Sequence, residues 1–108
     1  MYSIYLRDCS PESQFDAKSR GYRGDVFVKI GNATYQISVY DTKRLLQDFA
    51  AEVEYYGFFT PEPNLVLVEE VSNDCIKSSI KWLIDQKYFE DLKPVPNEIV
   101  AGAKLCEI

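Results

Sequence analysis

The sequence predicts an α+β fold, a two-layer domain in which two helices pack on one face of a mostly antiparallel sheet. Two β-branched and aromatic segments, Asp25 to Ile30 (DVFVKI) and Thr34 to Tyr40 (TYQISVY), flank Gly31-Asn32, a dipeptide suited to a tight hairpin turn. Two further segments carry apolar residues at helical spacing and begin at capping residues. The 108 residues are 46% hydrophobic and 14% aromatic, enough for one packed core and too apolar for disorder. A single domain, residues 1–108, is expected.

The opening segment alternates, with Tyr2, Ile4 and Leu6 on one side and Ser3, Tyr5 and Arg7 on the other, as in a half-buried first strand. From Asp8 to Gly24 the composition turns to Ser, Pro, Gly and charges, with only Phe15 and Tyr22 as anchors, and a loop is expected over 8–24. After the hairpin, Asp41 or Thr42 is placed to cap a helix reaching Tyr56. Its buried stripe is Leu45, Leu46, Phe49, Ala50, Val53 and Tyr56, and Gly57 is its left-handed stop. FFTPEPN is a loop, because its prolines continue neither ladder nor helix. Leu65 to Val71 (LVLVEEV) reads as a strand apolar on both faces at its start, as a central strand would be. Ser72 or Asn73 caps a second helix to Gln86 with Ile76, Ile80, Leu83 and Ile84 buried. Pro94 and Pro96 break the tail, so residues 94–108 read as either a short helix or an edge strand.

The net charge of −5 is localised. Leu45 to Ile76 holds seven carboxylates (Asp48, Glu52, Glu54, Glu62, Glu69, Glu70 and Asp74) and no Lys or Arg, while the flanking thirds are close to balanced. Localised charge steers a partner, whereas spread charge only keeps a chain soluble. A basic protein is the expected partner. Nucleic acid is not, because acidity repels phosphate and Lys18, Arg20 and Arg23 form only one short basic cluster.

Other classes are excluded by what is missing. With no histidine, Ser-His, Cys-His and His-metal arrangements are impossible, and no phosphate-binding, dinucleotide, nucleophile-elbow or EF-hand pattern is present. No enzyme activity, metal or cofactor is expected. No apolar run approaches the roughly 20 residues that span a bilayer. MYSIYLRD lacks the pattern of a secretory signal, so a cytoplasmic location is expected. Cys9, Cys75 and Cys106 are odd in number and far apart, which reads as three reduced thiols.

Three surfaces are candidates for partner binding. On the first helix Asp48, Glu52 and Tyr55 fall at i, i+4 and i+7, opposite the core stripe, with no base within the stretch to relieve the like charges. Glu54, Glu62, Glu69 and Glu70 extend that surface. The simpler reading is a solvated face whose counter-charges come from elsewhere in the fold. Tyr55, Tyr56, Phe58 and Phe59 cannot all enter the core, and aromatic anchors rimmed by charge are typical of interface hot spots; folding back of Phe58 and Phe59 over the core is the simpler alternative. Trp82 points roughly 140° from the second helix's stripe. Its cover is either the tail, through Ile99, Val100 and Leu105, or a partner. A catalytic reading would rest on Glu69 and Glu70, which as strand neighbours face opposite ways, or on Cys75, which lacks a base and is better read as a small core residue.

The hairpin leading into an acidic helix (YQISVYDTKRLLQDFAAEVEYYG) and the apolar strand leading into a helix with a late aromatic (NLVLVEEVSNDCIKSSIKWLIDQKYFEDL) resemble the small immunity proteins of bacterial contact-dependent growth inhibition and related polymorphic toxin systems. The resemblance spans Asp25 to Leu92 and lies in size, acidity and layout. It implies a monomer or weak dimer that binds and neutralises a cognate toxin domain, often a basic nuclease. Relatives often carry a Trp near Tyr88-Phe89; here it stands at Trp82. The competing class is an adaptor or oligomeric protein that uses an edge strand or the Trp82 surface.

Overall fold

Gly31 takes a φ of 60° and closes the hairpin at Gly31-Asn32, pairing Ile30 with Ala33. Around this turn the computed structural model, which describes residues 1–108 and Ile99 by its backbone alone, builds an α+β domain. In chain order the elements are β1 (Tyr2–Leu6), α1 (Pro11–Arg20), β2 (Tyr22–Ile30), β3 (Ala33–Tyr40), α2 (Thr42–Tyr56), β4 (Leu65–Leu67) and α3 (Asn73–Asp85). A 3₁₀ turn at Tyr88–Asp91, α4 (Asn97–Val100) and β5 (Cys106–Glu107) follow. The sheet order is β4-β3-β2-β1-β5, antiparallel except where β4 runs parallel to β3.

Side chains paired across strands share a face. Ile4, Leu6, Val26, Val28, Ile37 and Val39 therefore form one face, onto which α1 places Ala17 and α3 places Ile76 and Ile80, with Phe89 closing the cluster. The other face carries Tyr5, Phe27, Gln36, Ser38, Tyr40, Leu65 and Leu67. Here α2 lies against Leu65 and Leu67, and Asp48 meets the Tyr40 hydroxyl. The two helices sharing a face are thus α1 and α3, and α2 is on the opposite face from α3, contrary to the expected two-layer arrangement. A parallel β3-α2-β4 crossover puts its helix on one side, and the chain then turns back to lay α3 on the other.

Five further expectations change. Residues 8–24 are not a loop: α1 forms there because Ser10 accepts a hydrogen bond from the Ser13 N–H, Pro11 starts the helix, and Gly21 stops it at φ 69°. The strand expected at Leu65 to Val71 is three residues long and lies at the sheet edge. Its apolar start reflects two covers, since Val66 packs into the core while Leu65 and Leu67 face α2. The tail supplies both a helix and an edge strand. Val95 donates to the Thr34 carbonyl at the β3 edge (2.8 Å) and β5 pairs with β1, so residues 96–105 cross the second face.

That crossing sets Asn97, Val100 and Leu105 beside Tyr5 and Thr34, far from the outer side of α3. Trp82 therefore keeps no cover from Val100 or Leu105 and is 62% exposed, while the Ile99 side chain lies outside what is described. Finally, Cys9 and Cys106 form a disulfide, their Cα atoms 6.2 Å apart, and only Cys75 is a free thiol. The odd count hid one bonded pair. No helix is long and apolar enough to cross a membrane.

Gly21 joins α1 to the start of α2. A Cβ built there would collide with the Asp41 carboxylate, which caps α2 by accepting the Arg44 N–H at 2.8 Å. Gly21→Ala combines that collision with an unfavourable left-handed backbone, and is expected to cost about 2 kcal/mol or more in a urea titration. A cost below about 0.5 kcal/mol would contradict this account of the junction.

Candidate functional site

Helix α2 is well terminated and poorly buried. Asp41 caps its start, and Gly57, at φ 81°, returns its N–H to the Val53 carbonyl at 2.9 Å. Yet no residue of α2 is fully buried. The stripe expected to be core is half open: Leu46 is 59% exposed and Phe49 50%. The physical reason is the short edge strand, which offers α2 only Leu65 and Leu67, the latter itself 50% exposed.

Two depressions run side by side between α2, the Phe58 to Glu62 segment and β4. One, of about 380 Å³, is lined only by apolar residues: Leu45, Leu46, Phe49, Phe59, Pro61, Leu65 and Leu67. The other, of about 400 Å³, holds Asp48, Glu52 and Glu62 together with Tyr40, Tyr56 and Phe58. Phe59, Pro61 and Leu65 line both, so the two form one trough. Phe59 folds back edge-on against Phe49 (centroids 6.1 Å apart), whereas Phe58 stays exposed; the two rings divide between the alternatives the sequence left open.

The carboxylates of the trough are held in place. Glu62 accepts the Ser38 hydroxyl at 2.9 Å, and Asp48 accepts from the Arg44 guanidinium at 3.1 Å. Burial, then the charge and hydrogen bond of Asp48, push the Tyr40 phenol up to about 12, with Tyr22 and Glu62 adding to the shift. Arg44 stands one residue before the acidic stretch and Lys18 of α1 pairs with Glu70 at 3.1 Å, so part of the stretch is neutralised from outside it. Among the described residues Glu52, Glu54, Glu62, Glu69 and Asp74 make no ion pair.

Of the residues singled out from sequence, the fold brings together Asp48, Glu52 and Glu62. Tyr55 is 85% exposed and stacks on Tyr56 at 5.6 Å, and it is Tyr56 that lines the trough. Glu54 is exposed outside it. Glu69 borders a separate shallow depression with Asp74 and Cys75, while Glu70 is taken up by Lys18. Trp82 stands alone on α3. Sequence reasoning missed Tyr40, Leu65 and Leu67 as site residues; alternation in TYQISVY marked a face for Tyr40, but nothing local marks the parallel pairing that brings β4 beside it. Cys75 packs against the core, in keeping with a structural thiol.

No family model matches the chain, and no curated protein or solved structure matches it.

Proposed function

We propose that this chain is a small acidic immunity protein, a non-catalytic inhibitor that binds and neutralises a cognate toxin domain with a basic surface, such as a nuclease. The observation that carries the reading is the trough, where Asp48, Glu52 and Glu62 converge beside an unfilled apolar wall of α2. An apolar stripe left half open, with carboxylates along its margin, has the make-up of an interface core and rim. Complementary charge would speed association and buried anchors would slow release. The resemblance in layout over Asp25 to Leu92 supports the same reading.

A nuclease would be met in the cytosol, the location proposed for this chain, whereas the Cys9–Cys106 disulfide favours an oxidising compartment. Thiol labelling of protein taken from its host reads the compartment directly: a bonded pair places the encounter in an oxidising compartment and selects a toxin of another class. The second reading, an adaptor or oligomer that uses an edge strand or Trp82, is favoured only by the exposure of that indole.

Co-expression with a toxin-like reading frame, if sequencing beside its gene finds one, tests the proposal. Protection of growth by the wild-type chain, with a complex that copurifies, is the expected result. Absence of both protection and complex would contradict it.

A further inference from the structure

We infer that the trough receives one continuous segment of a basic protein partner, with an apolar side chain between α2 and β4 and an adjacent Lys or Arg against Asp48, Glu52 and Glu62. This rests on the binding reading above and specifies what that site recognises. Along α2 the apolar row Leu45, Phe49 and the acidic row Asp48, Glu52 each follow i, i+4 spacing, and a three-residue offset sets them about 60° apart round the helix, as neighbouring rows and not on opposite sides as expected from the sequence. Both rows open into depressions with a shared wall of Phe59, Pro61 and Leu65. A ligand filling one half is therefore in contact with the boundary of the other.

Charge decides the occupant. A second copy of this chain docked by a two-fold axis would bring its own trough carboxylates up to these, and like charges across a contact disfavour it. The chain's own tail is committed elsewhere, crossing the second face to β5. Nucleic acid brings phosphate to carboxylate. A segment carrying both an apolar anchor and a cation satisfies both halves at once.

The test titrates the full, isotope-labelled chain with four synthetic peptides. One interleaves Leu and Phe with Lys and Arg; the second replaces its cations by Gln, the third its apolar anchors by Ser, and the fourth its cations by Glu. The expected result is saturable amide shifts at Leu45 to Glu52 and at Glu62 to Leu67 with the first peptide, and affinity at least tenfold weaker for each of the others. Equal binding of the Ser or Gln peptide, shifts centred on Trp82, self-association that fills the trough, or no binding at all would overturn the inference. Variants separate it from the broader reading. If Asp48→Lys with Glu52→Lys abolishes capture of the toxin domain while Leu46→Gln with Leu67→Gln leaves it unchanged, the immunity reading stands and the two-part segment falls. If both pairs are silent, both fall.

Discussion

Replacing Cys9 and Cys106 by serine is expected to lower stability by about 3 to 5 kcal/mol, the largest effect of any substitution considered for this chain. The bond closes a loop of sequence separation 97 and joins the start of α1 to the two-residue strand β5. Without it, β5 is held to β1 by pairing at Tyr5 and Leu6 and by the Ile108 N–H on the Ile4 carbonyl at 2.9 Å. A loop that long removes much denatured-state entropy when closed, and a strand that short has little to hold it when opened. The transition midpoint should fall by roughly 12 °C or more in a thermal melt, with amide exchange accelerating first in residues 101–108. A midpoint unchanged on reduction would mean that the bond does not constrain the fold.

The second large effect concerns Arg23, which is 3% exposed. Its guanidinium donates to Asp25 at 2.8 Å, to the Ser13 hydroxyl at 3.0 Å and to the Asp8 carbonyl, and the same Asp25 carboxylate accepts the Arg7 N–H at 2.9 Å. One side chain thus ties the end of β1 and the first turn of α1 to β2. Arg23→Met keeps the apolar stem and deletes the charge, leaving the Asp8 carbonyl without its side-chain donor and the Asp25 carboxylate with the Arg7 N–H alone. Because the Asp25 side chain is 23% exposed, water recovers part of the loss, and about 2 to 3 kcal/mol is expected by urea denaturation at unchanged slope. Arg23→Lys should recover only part, since one ammonium cannot reproduce a fork that reaches three groups. Full stability of the Met variant would show that the network only decorates the fold.

What was legible in the sequence was what is decided locally. The hairpin follows from the positive φ at Gly31, and α2 from Asp41 at one end and Gly57 at the other. Helix α1 was equally local, with Ser10, Pro11 and Glu12 at its start and Gly21 at its stop, but its apolar stripe is so thin that only Ala17 is buried, and hydrophobic periodicity passed over it. The disulfide, the edge position of β4 and the opposite placement of α2 and α3 depend on which strands meet. A chain read in order does not reveal that pairing.

The site divides in the same way. The excess of carboxylates between Leu45 and Ile76 is visible from composition, yet which of them converge depends on the crossover from β3 to β4. Asp48, Glu52 and Glu62 meet because Ser38 and Tyr40 stand beside Leu65 and Leu67 in parallel register. Glu70 leaves the set because α1, unseen as a helix, brings Lys18 to it. Trp82 points away from its own helix's core stripe, as its spacing predicts. Its expected cover was lost when the tail took the opposite face.

The central claim, that the α2 trough is the binding surface, is tested most directly by the affinity and association rate of the Asp48→Lys, Glu52→Lys double variant for the captured toxin domain. Both side chains lie outside the core, so the fold should survive with its circular dichroism unchanged. Affinity is expected to fall at least tenfold, with the association rate reduced and its dependence on ionic strength flattened as steering over about 8 to 10 Å is lost. A folded double variant that bound with wild-type affinity and wild-type salt dependence would contradict the account and move the search to the surface around Trp82.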